Sequence, residues 1–133
     1  MKIFHLSEPR HGWINVTFGE APDTFTMTVS DMPNDCLREL ATALARLLKW
    51  SDHEVVEFSL EPEFAICELH REKASVRIVI RLPECSEAAF EATVPLRAFA
   101  LRVRFELLRI QPRYSAADGW TQPFPIHEVA NLA

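Results

Sequence analysis

Between Pro33 and Trp50 the chain reads PNDCLRELATALARLLKW, and the spacing of its leucines limits the folds open to it. Leu37, Leu40, Ala41, Leu44, Leu47 and Leu48 fall at i, i+3, i+4, i+7, i+10 and i+11, which is one face of a helix. Arg38, Glu39, Thr42, Arg46 and Lys49 take the opposite face. A stripe this apolar needs a cover, and the segments on either side alternate as strands do. Met32-Pro33-Asn34-Asp35 starts the helix, with proline tolerated in the first turn and Asn or Asp suited to the cap.

Trp13 to Phe18 alternates with Ile14, Val16 and Phe18 on one side. Gly19-Glu20-Ala21-Pro22 makes a turn, and Thr24 to Ser30 turns Phe25, Met27 and Val29 the same way. Beyond the helix, Val55 to Leu60 places Val56, Phe58 and Leu60 inward, and Glu61-Pro62-Glu63 turns the chain. Phe64 to His70 has an ambiguous facing. Phe64 and Ile66 suggest one face, Leu69 the other, and a bulge near Cys67 would reconcile them. Arg71-Glu72-Lys73 is a charged hairpin turn, and Val76 to Leu82 turns Val76, Ile78, Ile80 and Leu82 inward. Ala88 to Val94 is a possible sixth strand. Pro95 then opens a second helix running to about Ile110, stopped by Pro112 and apolar on two sides, as a helix sandwiched between layers is.

Consecutive strands joined by short turns make an antiparallel meander, not βαβ units. The expected fold is α+β, a single domain over 1–133 with the order β-β-α-β-β-β-(β)-α-tail. Its sheet has five to six strands, with two main helices packed on one face. The tail, 113–133, is mostly irregular and ends in a short helix near His127 to Leu132. The wet face of the sheet carries Asn15, Thr17, Thr26, Thr28, Glu57, Ser59, Arg77 and Arg81 among others.

Several chemistries have no support in the residues. Gly12, Gly19 and Gly119 are the only glycines, too few and too scattered to cradle a phosphate. No GxSxG elbow occurs. His127-Glu128-Val129-Ala130-Asn131 imitates a zinc helix, but Asn131 stands where the second histidine belongs, and no metal site is expected. Cys67 and His70, three apart on a strand, face opposite ways unless a bulge intervenes, and a buried thiol is the expectation over a catalytic pair. Cys36, Cys67 and Cys85 are odd in number and lack a CxxC pair, which reads as reduced, buried or half-buried thiols in the cytoplasm. Glu61 and Glu63 flank a proline in an exposed turn, with nothing to desolvate one of them for acid catalysis. No apolar run approaches the length of a membrane span, and the first residues lack a signal-peptide core. The expectation is no enzyme, no cofactor and no membrane partner.

The charge layout is more informative. A net charge of −5 argues against nucleic acid. From Asp52 to Glu91 there are ten acidic residues against four basic ones, whereas Arg97 to Arg113 holds five arginines and only Glu106. An acidic patch of this kind fits a basic protein partner, and Asp52, Glu54, Glu57, Glu61 and Glu63 are the candidate contacts. Trp120 and Phe124 either plug the helix layer or anchor a partner.

Ser30-Asp31-Met32-Pro33-Asn34-Asp35 leading into the leucine-rich helix, then Glu61-Pro62-Glu63-Phe64 and a charged hairpin, carry a resemblance. The stretch from 24 to 82, with Trp120 and Phe124-Pro125 in the tail, resembles small uncharacterised bacterial proteins encoded beside polymorphic or contact-delivered toxins as their immunity proteins. The resemblance implies a cytosolic inhibitor that binds its cognate toxin and has no activity of its own. A small-molecule or peptide-binding accessory protein, or an enzyme with a dispersed site, are the other readings.

Overall fold

In the computed structural model, which describes residues 3–133, the chain forms β1 (Phe4–Leu6), β2 (Trp13–Glu20), β3 (Asp23–Ser30), α1 (Cys36–Lys49), β4 (His53–Ser59), β5 (Phe64–Glu72), β6 (Ser75–Arg81), β7 (Phe90–Pro95), α2 (Leu96–Tyr114) and α3 (Ile126–Ala130). The strands make one antiparallel sheet in chain order, β1 to β7. The α+β class and the meander are as the alternation predicts. The sheet has seven strands, more than expected, because β1 joins it as an edge beside β2.

α1 begins where its cap residue allows. The Asp35 side chain accepts the Arg38 N–H, satisfying a donor that the first turn leaves without an intrahelical partner. Leu37, Leu40, Ala41, Leu44 and Leu47 are buried beneath it, chiefly over β4. Ile14, Val16 and Phe18 of β2, Val56 and Phe58 of β4, and Val76, Ile78 and Ile80 of β6 supply the facing layer. Phe18 sits among aromatic neighbours, its ring centroid 5.3 Å from Phe4, 6.2 Å from Phe58, 6.1 Å from Phe90 and 6.3 Å from Phe99. Contacts between β2, β4, β7, α2 and the edge strand therefore share one ring. The pairs with Phe4 and Phe58 are edge-to-face, and such pairs contribute about 1 kcal/mol each beyond simple burial.

Three expectations are corrected. β5 is regular and needs no bulge, because Val56 pairs Cys67 and Phe58 pairs Ala65, so Ala65, Cys67 and Leu69 all face inward. Phe64 and Ile66 stand outward, half-buried, beside Val55 and Val79 on a partly apolar outer face. Ser59 is fully buried instead of wet, its hydroxyl donating to the Met32 carbonyl at 2.6 Å. Finally, α2 runs on through Pro112 to Tyr114, and its second apolar stripe is not sandwiched. Leu101, Phe105 and Leu108 remain 43%, 53% and 38% exposed. Pro112 lies on that same outward side, where the carbonyl it frees meets water and a helix tolerates the lost bond.

β3 and β4 meet through a single rung, Ser30 opposite Ser59, so the sheet divides into two ribbons joined mainly by the helices. The first ribbon is held to α2 by an unusual edge contact. Gly19 donates its N–H to the Ile3 carbonyl and Ser7 to the Asn15 carbonyl, a register that turns the polar groups of Phe4 and Leu6 away from β2. α2 side chains meet them. Glu106 accepts the Leu6 N–H at 2.8 Å, Arg102 donates to the Phe4 carbonyl at 3.1 Å, and Arg109 donates to the Leu6 carbonyl. Glu106 is 1% exposed and also takes Arg102 at 3.0 Å, Arg109 at 2.9 Å and His5 at 2.9 Å. Burial alone would raise its carboxyl. The bonds from Arg109 and Leu6, with the charges of Arg109 and His5, outweigh that and hold it below the usual glutamate range. An edge that would otherwise invite another strand is closed by side chains.

Candidate functional site

The residues at the β4–β5 turn make an exposed acidic corner. Glu57 stands outward near the end of β4, and Glu61 and Glu63 occupy the turn, all three exposed. The β3–α1 loop lies against them. Asn34 donates to the Glu57 carbonyl at 2.8 Å and to the Glu39 carboxylate at 2.7 Å, and the Ser59 hydroxyl holds Met32 from below. Met32 is left 54% exposed beside the acidic turn. The corner thus offers exposed carboxylates near an exposed apolar side chain, on backbone tied by hydrogen bonds from Asn34 and Ser59. A partner docking there would not need to order the loop first.

The other acidic candidates do not join this corner. Asp52 lies at the opposite end of β4, roughly 17 Å away at about 3.3 Å per strand residue. It shares that end with Trp50, which is 73% exposed and was not singled out from the sequence. Trp50 continues the leucine-rich stretch, and only its place past the last helical residue, as the C-cap, frees it from the core. Glu54 is half-buried and committed, accepting the Ser51 hydroxyl at 2.7 Å and Arg46 at 3.4 Å. Its role is to fix the α1–β4 connection.

Trp120 is fully buried and Phe124 partly so. The indole N–H donates to Asp35 at 3.1 Å, and Phe124 packs edge-on to Tyr114 at 5.1 Å. The tail is latched again at Asp31, which accepts both the backbone N–H and the hydroxyl of Thr121. These contacts place the two aromatics in the wall of the fold, the plugging arrangement. Burial raises the Asp35 carboxyl, against the Trp120 and Arg38 bonds that favour its charged form. The latch exists because residues some ninety positions apart converge, and sequence periodicity carries no signal of it.

On the outer face of the sheet, His53 and His70 stack at 4.6 Å across β4 and β5, and Glu68 pairs with His70 and Arg81, each at 3.4 Å. Cys67 and His70 face opposite sides, as the strand period requires. Cys36 and Cys67 are buried, and burial pushes the Cys67 thiol up to about 12. Cys85, against expectation, is exposed, because it falls in the β6–β7 loop. Among the described residues no three His, Cys, Asp or Glu side chains gather as a metal site would require, and no helix is long and apolar enough to cross a membrane. A groove of about 640 Å³ runs between β7 and the tip of the β2–β3 hairpin, lined by Phe25, Phe90, Glu20, Asp23 and Glu91 among others. Compared with known proteins, the chain matches no family model, no curated protein and no solved structure.

Proposed function

We propose that this protein is a non-enzymatic binding module, an immunity protein that neutralises a cognate toxin by docking its acidic corner onto a basic surface of that toxin. The observation that carries the reading is the corner itself: Glu57, Glu61 and Glu63 exposed at the β4–β5 turn, and Met32 exposed on the loop that Asn34 and Ser59 tie to it. Carboxylates so placed accelerate encounter with a basic partner, and a rigid frame reduces the ordering cost of the complex. The sequence resemblance gives the partner its class. The test is capture of the partner from the native cell on immobilised protein, followed by co-expression of the two. Growth restored by the wild-type chain and lost with the Glu57→Lys, Glu61→Lys, Glu63→Lys triple variant supports the reading. A captured partner that is harmless, or protection indifferent to the triple reversal, refutes it.

The groove beside β7 favours a second reading, a module for a small cationic ligand or peptide. Two phenylalanines line it with three carboxylates around them. Saturable binding of a short lysine-containing peptide, weakened by Phe90→Ala, would select this reading over the first.

A further inference from the structure

The five arginines between Arg97 and Arg113 find no role in the acidic corner, yet they are not scattered. Along α2 the inward positions are Phe99, Ala100, Val103, Leu107 and Ile110, all buried. Opposite them Leu101, Phe105 and Leu108 fall at i, i+4 and i+7 and stay open. At 100° per residue, Arg97 and Arg104 border this stripe on one side and Arg102 and Arg109 on the other. Arg102 lies over the Phe105 ring, 4.8 Å from its centroid. The Arg104 Nε is shielded from solvent and has no acceptor among the described residues. The single acid of the helix, Glu106, is turned inward, where it takes the Leu6 N–H and pairs with Arg102 and Arg109, whereas no ion pair among the described residues holds Arg97 or Arg104. Phe105 alone leaves roughly 100 Å² open, taking about 200 Å² for a whole phenylalanine. Large apolar groups ringed by polar ones mark a contact surface.

We infer that the outer face of α2 is a second docking surface, built for an acidic amphipathic helix of a protein partner. The apolar stripe gives such a helix its anchor, and Arg97 and Arg104 along one flank meet carboxylates on its edge. A two-fold pairing of two copies would set the same arginine rims against each other, which charge opposes. A stripe of three side chains, spanning about 10 Å of helix, is short for burial in a bilayer interface. This surface is separate from the acidic corner, so either can fail alone.

The probe is a synthetic peptide of about 18 residues, with Leu and Phe at helical spacing and Glu on both flanks. Amide shift mapping and titration are run on the full chain at low and high salt. The same peptide with Lys for Glu, vesicles of equal phosphatidylglycerol and phosphatidylcholine, and a single-stranded RNA serve as competitors. The expected result is saturable binding of the acidic peptide only, with shifts centred on 97–108. Affinity should fall at least about tenfold in Phe105→Ser, and in Arg97→Glu with Arg104→Glu, with the latter also losing its salt dependence. Phe105 is exposed, so circular dichroism of Phe105→Ser should match wild type and exclude misfolding. Shifts elsewhere, no preference for the acidic over the basic peptide, or preferential binding of vesicles or RNA overturns the inference. So does self-association by sedimentation that Phe105→Ser abolishes.

Discussion

Glu106 is the position where the structure makes its most exposed wager on stability. The carboxylate is 1% exposed and accepts the Leu6 N–H at 2.8 Å, Arg102 at 3.0 Å and Arg109 at 2.9 Å. In Glu106→Ala the Leu6 N–H is left buried without an acceptor, at a cost of about 1–3 kcal/mol. The arginines lose their counter-charge, but they are 20% and 37% exposed and keep the Phe4 and Leu6 carbonyls. They can turn to water, so the whole loss, the Leu6 N–H included, stays at the lower end of the roughly 3–5 kcal/mol for stripping a buried pair. The expected total is about 3 kcal/mol for Glu106→Ala. For Glu106→Gln, which still accepts from Leu6, about half that is expected. Urea unfolding at pH 7 measures both, with an unchanged m-value showing that the native state is still compact. The pH dependence has a definite sign. A carboxyl held below its ordinary value contributes stability that is complete above about pH 4.3 and is lost as pH falls through the folded-state value. The gap between wild type and Glu106→Gln should therefore close only in acid. A Glu106→Ala loss below about 0.5 kcal/mol, or a gap constant down to the acid transition, would refute the account of the β1 edge.

Trp120→Ala should cost about 4 kcal/mol in chemical denaturation, whereas an anchor waiting for a partner would cost almost nothing. Trp120→Phe keeps much of the volume and loses the Asp35 bond, so about 1–2 kcal/mol is expected. In the native state an aromatic disulfide reagent should label Cys85 alone, with Cys36 and Cys67 reacting only after unfolding. The Glu57→Lys, Glu61→Lys, Glu63→Lys variant should unfold within about 1 kcal/mol of wild type, because these side chains are exposed, while its partner on-rate changes with salt.

The meander and α1 were legible because each rests on a local period. Ile14, Val16 and Phe18 alternate, and Leu37 to Leu47 repeat every three to four residues, whatever lies elsewhere in the chain. The errors arose where the deciding contact is distant. Three residues, Phe4–Leu6, are too few to show alternation, and they become a strand because Glu106, Arg102 and Arg109 receive their outer edge. The facing of β5 was obscured because the larger apolar residues, Phe64 and Ile66, sit on the outer face and the smaller Ala65 and Cys67 face the core. The two apolar stripes of α2 looked like a sandwiched helix, and only the packing reveals that one has no cover. Within the acidic stretch, Glu61 and Glu63 fall together because they share a turn, while the length of β4 carries Asp52 away. The arginine run was visible as composition, but its arrangement around Leu101 and Phe105 follows from helical geometry once α2 is known to expose that side.

The closure of β1 by α2 also bears on how the chain is made. Its hydrogen bonds join residues about one hundred positions apart, whereas every rung of the sheet joins strands adjacent in the chain. Synthesis from the N-terminus delivers all seven strands before Arg102, Glu106 and Arg109 have emerged. Until then the outer polar groups of Phe4 and Leu6 lack their partners, and the newly made sheet presents an edge open to any neighbouring strand. Nascent chains stalled between β7 and the middle of α2 are the stage most prone to misassociation. α2 is thus the element that ends the period of risk.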